Sequence, residues 1–220
     1  MFINGKDALN YGAKLLSDYK YTPPTVTPDH FKGRRRSNFT LLNVDVDMGK
    51  LELPMTFHAR GRRDANQNKS AFDSLCLGKT DIAMEDGFQY FSVLTDIGDT
   101  TYHSSQLLEC TYSFDCIRHG PYVEKHGNTI ICESTLPYTD CVLTARVGQD
   151  GTNYQMGPVM FDIVYAGQVL TVDGITKRIL VGGIPDASGA EWIQFPTLEP
   201  GENTFSCLDE LTVGYYPSYF

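Results

Sequence analysis

The sequence has little of what membrane, secreted and catalytic classes require. Across 220 residues no run of 18 apolar positions occurs, so no spanning helix is expected, and there is no low-complexity tail. The opening Met1-Phe2-Ile3-Asn4-Gly5-Lys6-Asp7 lacks a basic head ahead of an apolar run. A secretory signal is therefore not expected, and the chain reads as soluble and made inside the cell. Positive charge is scarce: 18 Lys and Arg face 27 Asp and Glu, a formal net charge of −9. Phosphate binding needs a basic footprint, so sequence-specific nucleic-acid binding is not expected.

Catalytic patterns are missing as well. The five histidines, His30, His58, His103, His119 and His126, include no two at the four-residue helical spacing of a zinc protease. No Gly-rich loop ends in Lys-Thr or Lys-Ser to cradle a phosphate; Gly182-Gly183 precedes Ile184-Pro185 and reads as a turn. No serine sits in a nucleophile elbow. Asp45 and Asp47 share a strand face, where an acid pair or cation site is conceivable. A solvated or subunit-facing strand is the favoured reading, because no His or third carboxylate is near in sequence. No enzyme and no cofactor or metal is expected.

The six cysteines, Cys76, Cys110, Cys116, Cys132, Cys141 and Cys207, contain no Cys-x-x-Cys pair. Between Gln106 and Arg118, Leu108, Cys110, Tyr112, Phe114 and Cys116 alternate with Glu109, Thr111, Ser113 and Asp115, so both thiols point inward on one strand. Their separation along it, roughly 20 Å, is beyond a disulfide. They are expected to be buried free cysteines acting as small hydrophobes.

What the chain does have is aromatics, 12 Phe and 13 Tyr, and turn formers, 20 Gly and 11 Pro, spread along its length. That composition points to a mainly β protein of two domains. Ala8 to Tyr19 fits either a helix or an extended segment. Tyr21 to Ser37, with Pro23-Pro24, Pro28 and Arg34-Arg35-Arg36, reads as a long loop or arm. Leu42, Val44, Val46 and Met48 alternate with polar residues as in a half-buried strand. A turn at Met48-Gly49-Lys50 would then return Leu51 to Phe57 against it, with Pro54 marking an edge or a bulge. Asp64 is the expected N-cap of a helix through about Leu77, with Phe72, Leu75 and Cys76 on its inner stripe and Gly78 at its stop.

Polar Tyr122 to Asn128 is the expected boundary, giving domains 1–125 and 126–220. Beyond it, strands are expected at Thr129 to Glu133, Cys141 to Val147, Val159 to Tyr165, Gln168 to Asp173 and Ile175 to Val181, the pattern of a sandwich or barrel. The single Trp192 is expected to pack in the core rather than serve as a stacking platform for sugar. Arg34, Arg35 and Arg36, and Arg60 with Arg62 and Arg63, stand out against the acidic total. They are either solvated loop charge or cations that pair with carboxylates of a neighbouring subunit.

The final segment runs Phe195-Pro196-Thr197-Leu198-Glu199-Pro200-Gly201-Glu202-Asn203, then Leu211-Thr212-Val213-Gly214-Tyr215-Tyr216-Pro217. Pro200 and Gly201 suit the two corners of a tight turn between extended pieces, in a strand, turn, strand ending. As a string, with Phe195, Pro196, Pro200, Gly201 and Asn203 at its centre, it resembles the C-terminal signature of the distal tail proteins of long-tailed phages, the ring-forming baseplate hubs. The Phe2-Ile3-Asn4-Gly5 start and the Tyr215-Tyr216-Pro217 finish resemble that family too.

The resemblance covers nearly the full chain and implies an N-terminal β-sandwich with one helix and a protruding hairpin, the ring-forming belt, followed by a small galectin-like β-sandwich. It implies a homohexamer at the distal end of the tail tube in the virion, synthesised in the host bacterial cytoplasm. Its implied partners are other copies, the tail tube protein, the tail-tip or tail-associated protein and, in some members, a receptor-binding protein. Arg34, Arg35, Arg36, Asp45, Asp47, Arg60, Arg62 and Arg63 are then the subunit-interface candidates. The chain is short for the family, so a large host-binding insertion is not expected. The alternative is a carbohydrate-binding β-sandwich protein for host-surface adhesion.

Overall fold

A computed structural model describes residues 1–32, 34 and 37–220, and its regular secondary structure is almost wholly antiparallel strand. Two compact units divide it, Met1–His119 with Phe220, and Gly120–Tyr219. The expected boundary segment lies inside the second unit, where Val123–His126 is a strand against Leu211–Tyr215.

In the first unit the longest strand is Leu107–His119, paired with Gln89–Ile97 on one side and Gly49–His58 on the other. Lys79–Ala83 and Phe2–Ile3 extend the sheet past Gln89–Ile97. The alternation of Leu107–His119 buries Leu108, Cys110, Tyr112, Phe114 and Cys116 as its pattern demands. They meet Leu51, Leu53, Met55 and Phe57 of the neighbouring strand and Phe72 of the helix.

That helix, Arg62–Leu75, is capped by Gly61 rather than by Asp64, which lies in its first turn. The Phe72, Leu75 and Cys76 stripe faces the core, and Gly78 adopts φ +83° just beyond the end. Ala8 to Tyr19 proves to be both things its pattern allowed. Ala8–Tyr11 is a 3-10 turn, Gly12 at φ +63° stops it, and Ala13–Leu15 is a strand.

Two expectations are corrected here. Gly49–His58 is not an edge: Ala13–Leu15 and Lys20–Thr22 both pair with its other side. Pro54 is tolerated because it falls where the first of these has ended and the second has not begun, and its carbonyl still accepts from the Leu16 N–H at 2.9 Å. The His58 N–H points to this same side, toward Gly12, so by alternation the donor that Pro54 lacks would have faced the gap.

The second correction concerns the strand of Val44 and Val46. Thr40–Val46 does not fold back on Leu51 to Phe57; it pairs with Val26–Phe31, and the expected loop is therefore half of a β-hairpin. Val26–Phe31 is exposed along its length, and Thr40–Val46 is exposed up to a half-buried Val46.

In the second unit the larger sheet runs Val123–His126, Leu211–Tyr215, Thr139–Arg146, Val169–Asp173, Arg178–Val181. A three-stranded sheet of Gly151–Met156, Val159–Val164 and Ala190–Trp192 supplies the facing layer. Leu143, Leu170, Val172, Leu211, Val213 and Tyr215 of one sheet share a core with Met156, Val159, Phe161 and Val164 of the other. It is a sandwich. Where Ile175 to Lys177 was expected to be strand, Asp173 instead accepts from the Ile175 and Thr176 N–H groups and turns the chain.

Candidate functional site

Because the side chains of a strand alternate, the register of the hairpin sorts its residues onto two unlike faces. Val26 lies opposite Val46, and Pro28 opposite Val44, giving an apolar face. Thr27 lies opposite Asp45, and Asp29 opposite Asn43, giving a polar and acidic one. Past an irregularity between Asp29 and His30, the ring of His30 meets Phe39 edge-on at 5.8 Å. Leu42 at 62% exposure and Val26 at 47% show how little of the apolar face is covered. A two-stranded ribbon is marginal by itself in water, and this one pairs with no further strand among the described residues.

Asp45 and Asp47 therefore sit on or beside a free-standing ribbon. Asp45 accepts from Asn43 Nδ2 at 2.8 Å, and Asp47 from the Met48 N–H at 2.8 Å. Arg34 is exposed in the turn of the hairpin, while Arg35 and Arg36 lie outside the described residues. Arg60, Arg62 and Arg63 are exposed around the start of the helix. The Arg62 guanidinium stacks 4.0 Å over Tyr102, whose hydroxyl donates to Asn66 Oδ1 at 2.6 Å. No ion pair among the described residues uses these arginines or Asp29, Asp45 and Asp47. Among the described residues the chain does not bring the two sets together by itself.

The C-terminal motif is a corner rather than a hairpin. Thr197–Leu198 pairs with Thr139–Asp140, whereas Gly201–Thr204 pairs with Thr129–Cys132, so the turn hands the chain from one strand set to another. Gly201 takes φ +94°, the left-handed region that favours glycine. Asn203 holds the corner from within: its Oδ1 accepts from the Glu199 N–H at 2.9 Å, and its Nδ2 donates to the carbonyls of Glu199 and Gly201 at 2.7 and 3.0 Å. Phe195 is half-buried and Pro196 is buried.

Trp192 is not a core residue. It ends a strand at the margin of the small sheet, 42% exposed, with its ring 6.1 Å from Phe195, and Ile193 beside it is fully exposed. The apolar neighbourhood that suggested packing is real in sequence, but the sheet runs out at this strand.

All six cysteines are free, five buried and Cys207 half-buried. Burial pushes the Cys76 and Cys116 thiols up to about 12, and Cys141 well above the usual range. A reactive thiolate needs cationic surroundings. Cys207 has instead the Tyr154 hydroxyl at 3.3 Å, which also donates to Asp209 at 2.8 Å.

No family model and no curated protein matches the sequence. Among solved structures, the Dit protein of phage SPP1, a paradigm of the hub adsorption apparatus in phages infecting Gram-positive bacteria, matches 99% of this chain and 98% of its own, with TM-score 0.65 and 14% identity. The chain has the fold of a phage tail hub protein. A chain of the phage P2 baseplate in its activated conformation with Ca matches 92% of this chain and 91% of its own, at TM-score 0.50 and 8% identity. A chain of the Sr form of that baseplate matches 94% and 92%, at TM-score 0.54 and 8% identity. A mainly β fold with a single α-helix among the described residues agrees with the sequence reading.

Proposed function

We propose that this chain is a structural subunit of a phage tail hub. Copies of it close into a ring, a homohexamer, at the distal end of the tail tube and link the tube protein to the tail-tip proteins. Its work is association rather than catalysis, and its place is the tail of the virion after synthesis in the host cytoplasm. The observation that carries this reading is the agreement of fold with the SPP1 hub over 99% of the chain. The two-faced hairpin supports self-association, since Val26, Leu42 and Val44 of its apolar face are exposed. The first unit, which bears the hairpin, is then the ring-forming part, and the second is the galectin-like module.

The test is the mass of the full chain by light scattering, beside a Val26→Asp/Val44→Asp variant. The reading expects a multi-copy species for the natural sequence and a folded monomer for the variant. A natural sequence that stays monomeric across the concentration range would overturn it.

A second reading rests on Trp192. Its exposed ring beside Phe195 is the kind of platform on which a sugar stacks, consistent with a carbohydrate-binding protein for host-surface adhesion. Titration of the single tryptophan's fluorescence with host-wall saccharides tests it, and an unchanged spectrum would remove it.

A further inference from the structure

Resting on the self-association just proposed, we infer which surface of the neighbouring copy receives the hairpin: the exposed arginines Arg60 and Arg63, with the Arg62–Tyr102 stack between them, take the acidic face that carries Asp29 and Asp45.

Head-to-tail assembly needs two different surfaces on each copy, one to give and one to receive. The giving surface is evident, because the hairpin stands free with all its carboxylates in solvent. For the receiving surface, charge decides. In a chain of net charge −9, most exposed ground would repel Asp29 and Asp45. Arg60, Arg62 and Arg63 concentrate three cations within four residues, and no described carboxylate of their own chain engages them.

The two sets are therefore complementary and both unspent. The Arg62 side chain is already held in place, flat on Tyr102, and the hydrogen bond from Tyr102 to Asn66 fixes that ring in turn. A guanidinium held in this way loses little freedom on meeting a carboxylate. Tyr102, 38% exposed, adds apolar area at the same place.

The division of labour follows from magnitudes. Pairs of exposed charges contribute little to affinity alone, whereas covering Val26, Leu42 and Val44 removes apolar surface from water. The apolar face supplies the attraction. The acidic face selects the position and direction of docking, because a carboxylate set against another acidic surface is penalised.

The test is a charge exchange in the full-length chain, read by sedimentation equilibrium with thermal unfolding as the folding control. Asp29→Arg/Asp45→Arg and, separately, Arg60→Glu/Arg63→Glu should each weaken self-association by roughly tenfold or more, and combining all four should restore it. Arg62 is left in place so that the Tyr102 stack survives. If both double variants fold and assemble as the natural chain does, while Val26→Asp/Val44→Asp does not, the hub reading stands and this pairing is wrong. If the four-fold variant stays as weak as the double variants, the acids and arginines face other partners, and the pairing is again wrong. A natural chain that never assembles removes the hub reading itself.

Discussion

Tyr112 and Asp73 tie the long strand of the first unit to its helix: the buried phenol donates to Asp73 Oδ1 at 2.5 Å, and Lys69 holds the same carboxylate at 2.9 Å. Phe72 and Phe57 pack edge-on or tilted around the tyrosine ring, at 5.2 and 6.3 Å. The carboxylate is only partly exposed and has both groups as partners, the hydroxyl as much as the lysine.

Removing that hydroxyl should be costly without changing shape. We expect Tyr112→Phe to lower the unfolding free energy by about 1–3 kcal/mol, read from the urea midpoint at unchanged slope. The alkaline limb carries a second signature. Burial, then the Asp73 bond and charge, raise the Tyr112 pKa in the folded state above the ordinary tyrosine value. Its contribution is therefore complete below about pH 10 and is lost as pH rises beyond it, where only the unfolded chain gives up the proton readily. Tyr112→Phe should flatten that part of the stability profile. An identical profile in both proteins would contradict the assignment.

At the C-terminal corner, Asn203 makes three hydrogen bonds to the backbone of its own turn. We expect Asn203→Ala to destabilise the second unit by about 1–3 kcal/mol, since Glu199 and Gly201 lose fixed partners. Hydrogen exchange should show the loss as faster opening at the Glu199 N–H first. Unchanged protection there would contradict the role.

Gly214 and Tyr122 are coupled by space. A Cβ at position 214 would fall 1.8 Å from the Tyr122 hydroxyl oxygen and 2.5 Å from its ring carbon, so Gly214→Ala must push the ring off Tyr216, which it meets at 5.0 Å. About 1–3 kcal/mol of destabilisation is expected. In a Tyr122→Ala background the same substitution should cost far less. Equal costs in both backgrounds would show that the glycine is needed for another reason.

Much of this architecture was legible in the chain. Period-two alternation located Leu107–His119, and turn residues between short apolar runs located Thr139–Arg146, Val159–Val164 and Val169–Asp173, whereas Gly151–Met156 and Ala190–Trp192 went unread. Alternation reports that a face is apolar, however, and not what covers it. Val44 and Val46 therefore read as packed against Leu51 to Phe57, although the hairpin pairs elsewhere and only Val46 is half-buried.

Its other strand was hidden by Pro28 and the neighbouring Pro23-Pro24, which mark loops in most settings. Trp192 misled for a related reason, since hydrophobic neighbours in sequence do not show where a sheet ends. Of the interface candidates, the sequence named Asp45 and the Arg60 to Arg63 set. Asp29 entered only when the register placed it across from Asn43, on the face of Asp45.

The most direct measurement is native mass spectrometry of the purified full-length chain at micromolar concentration. A tail-hub subunit with an uncovered hairpin face should give one discrete closed assembly, at six times the chain mass, that dissociates when Val26 and Val44 become aspartate. A spectrum holding only the single chain, or one in which the hairpin substitutions leave the assembly untouched, would contradict the account.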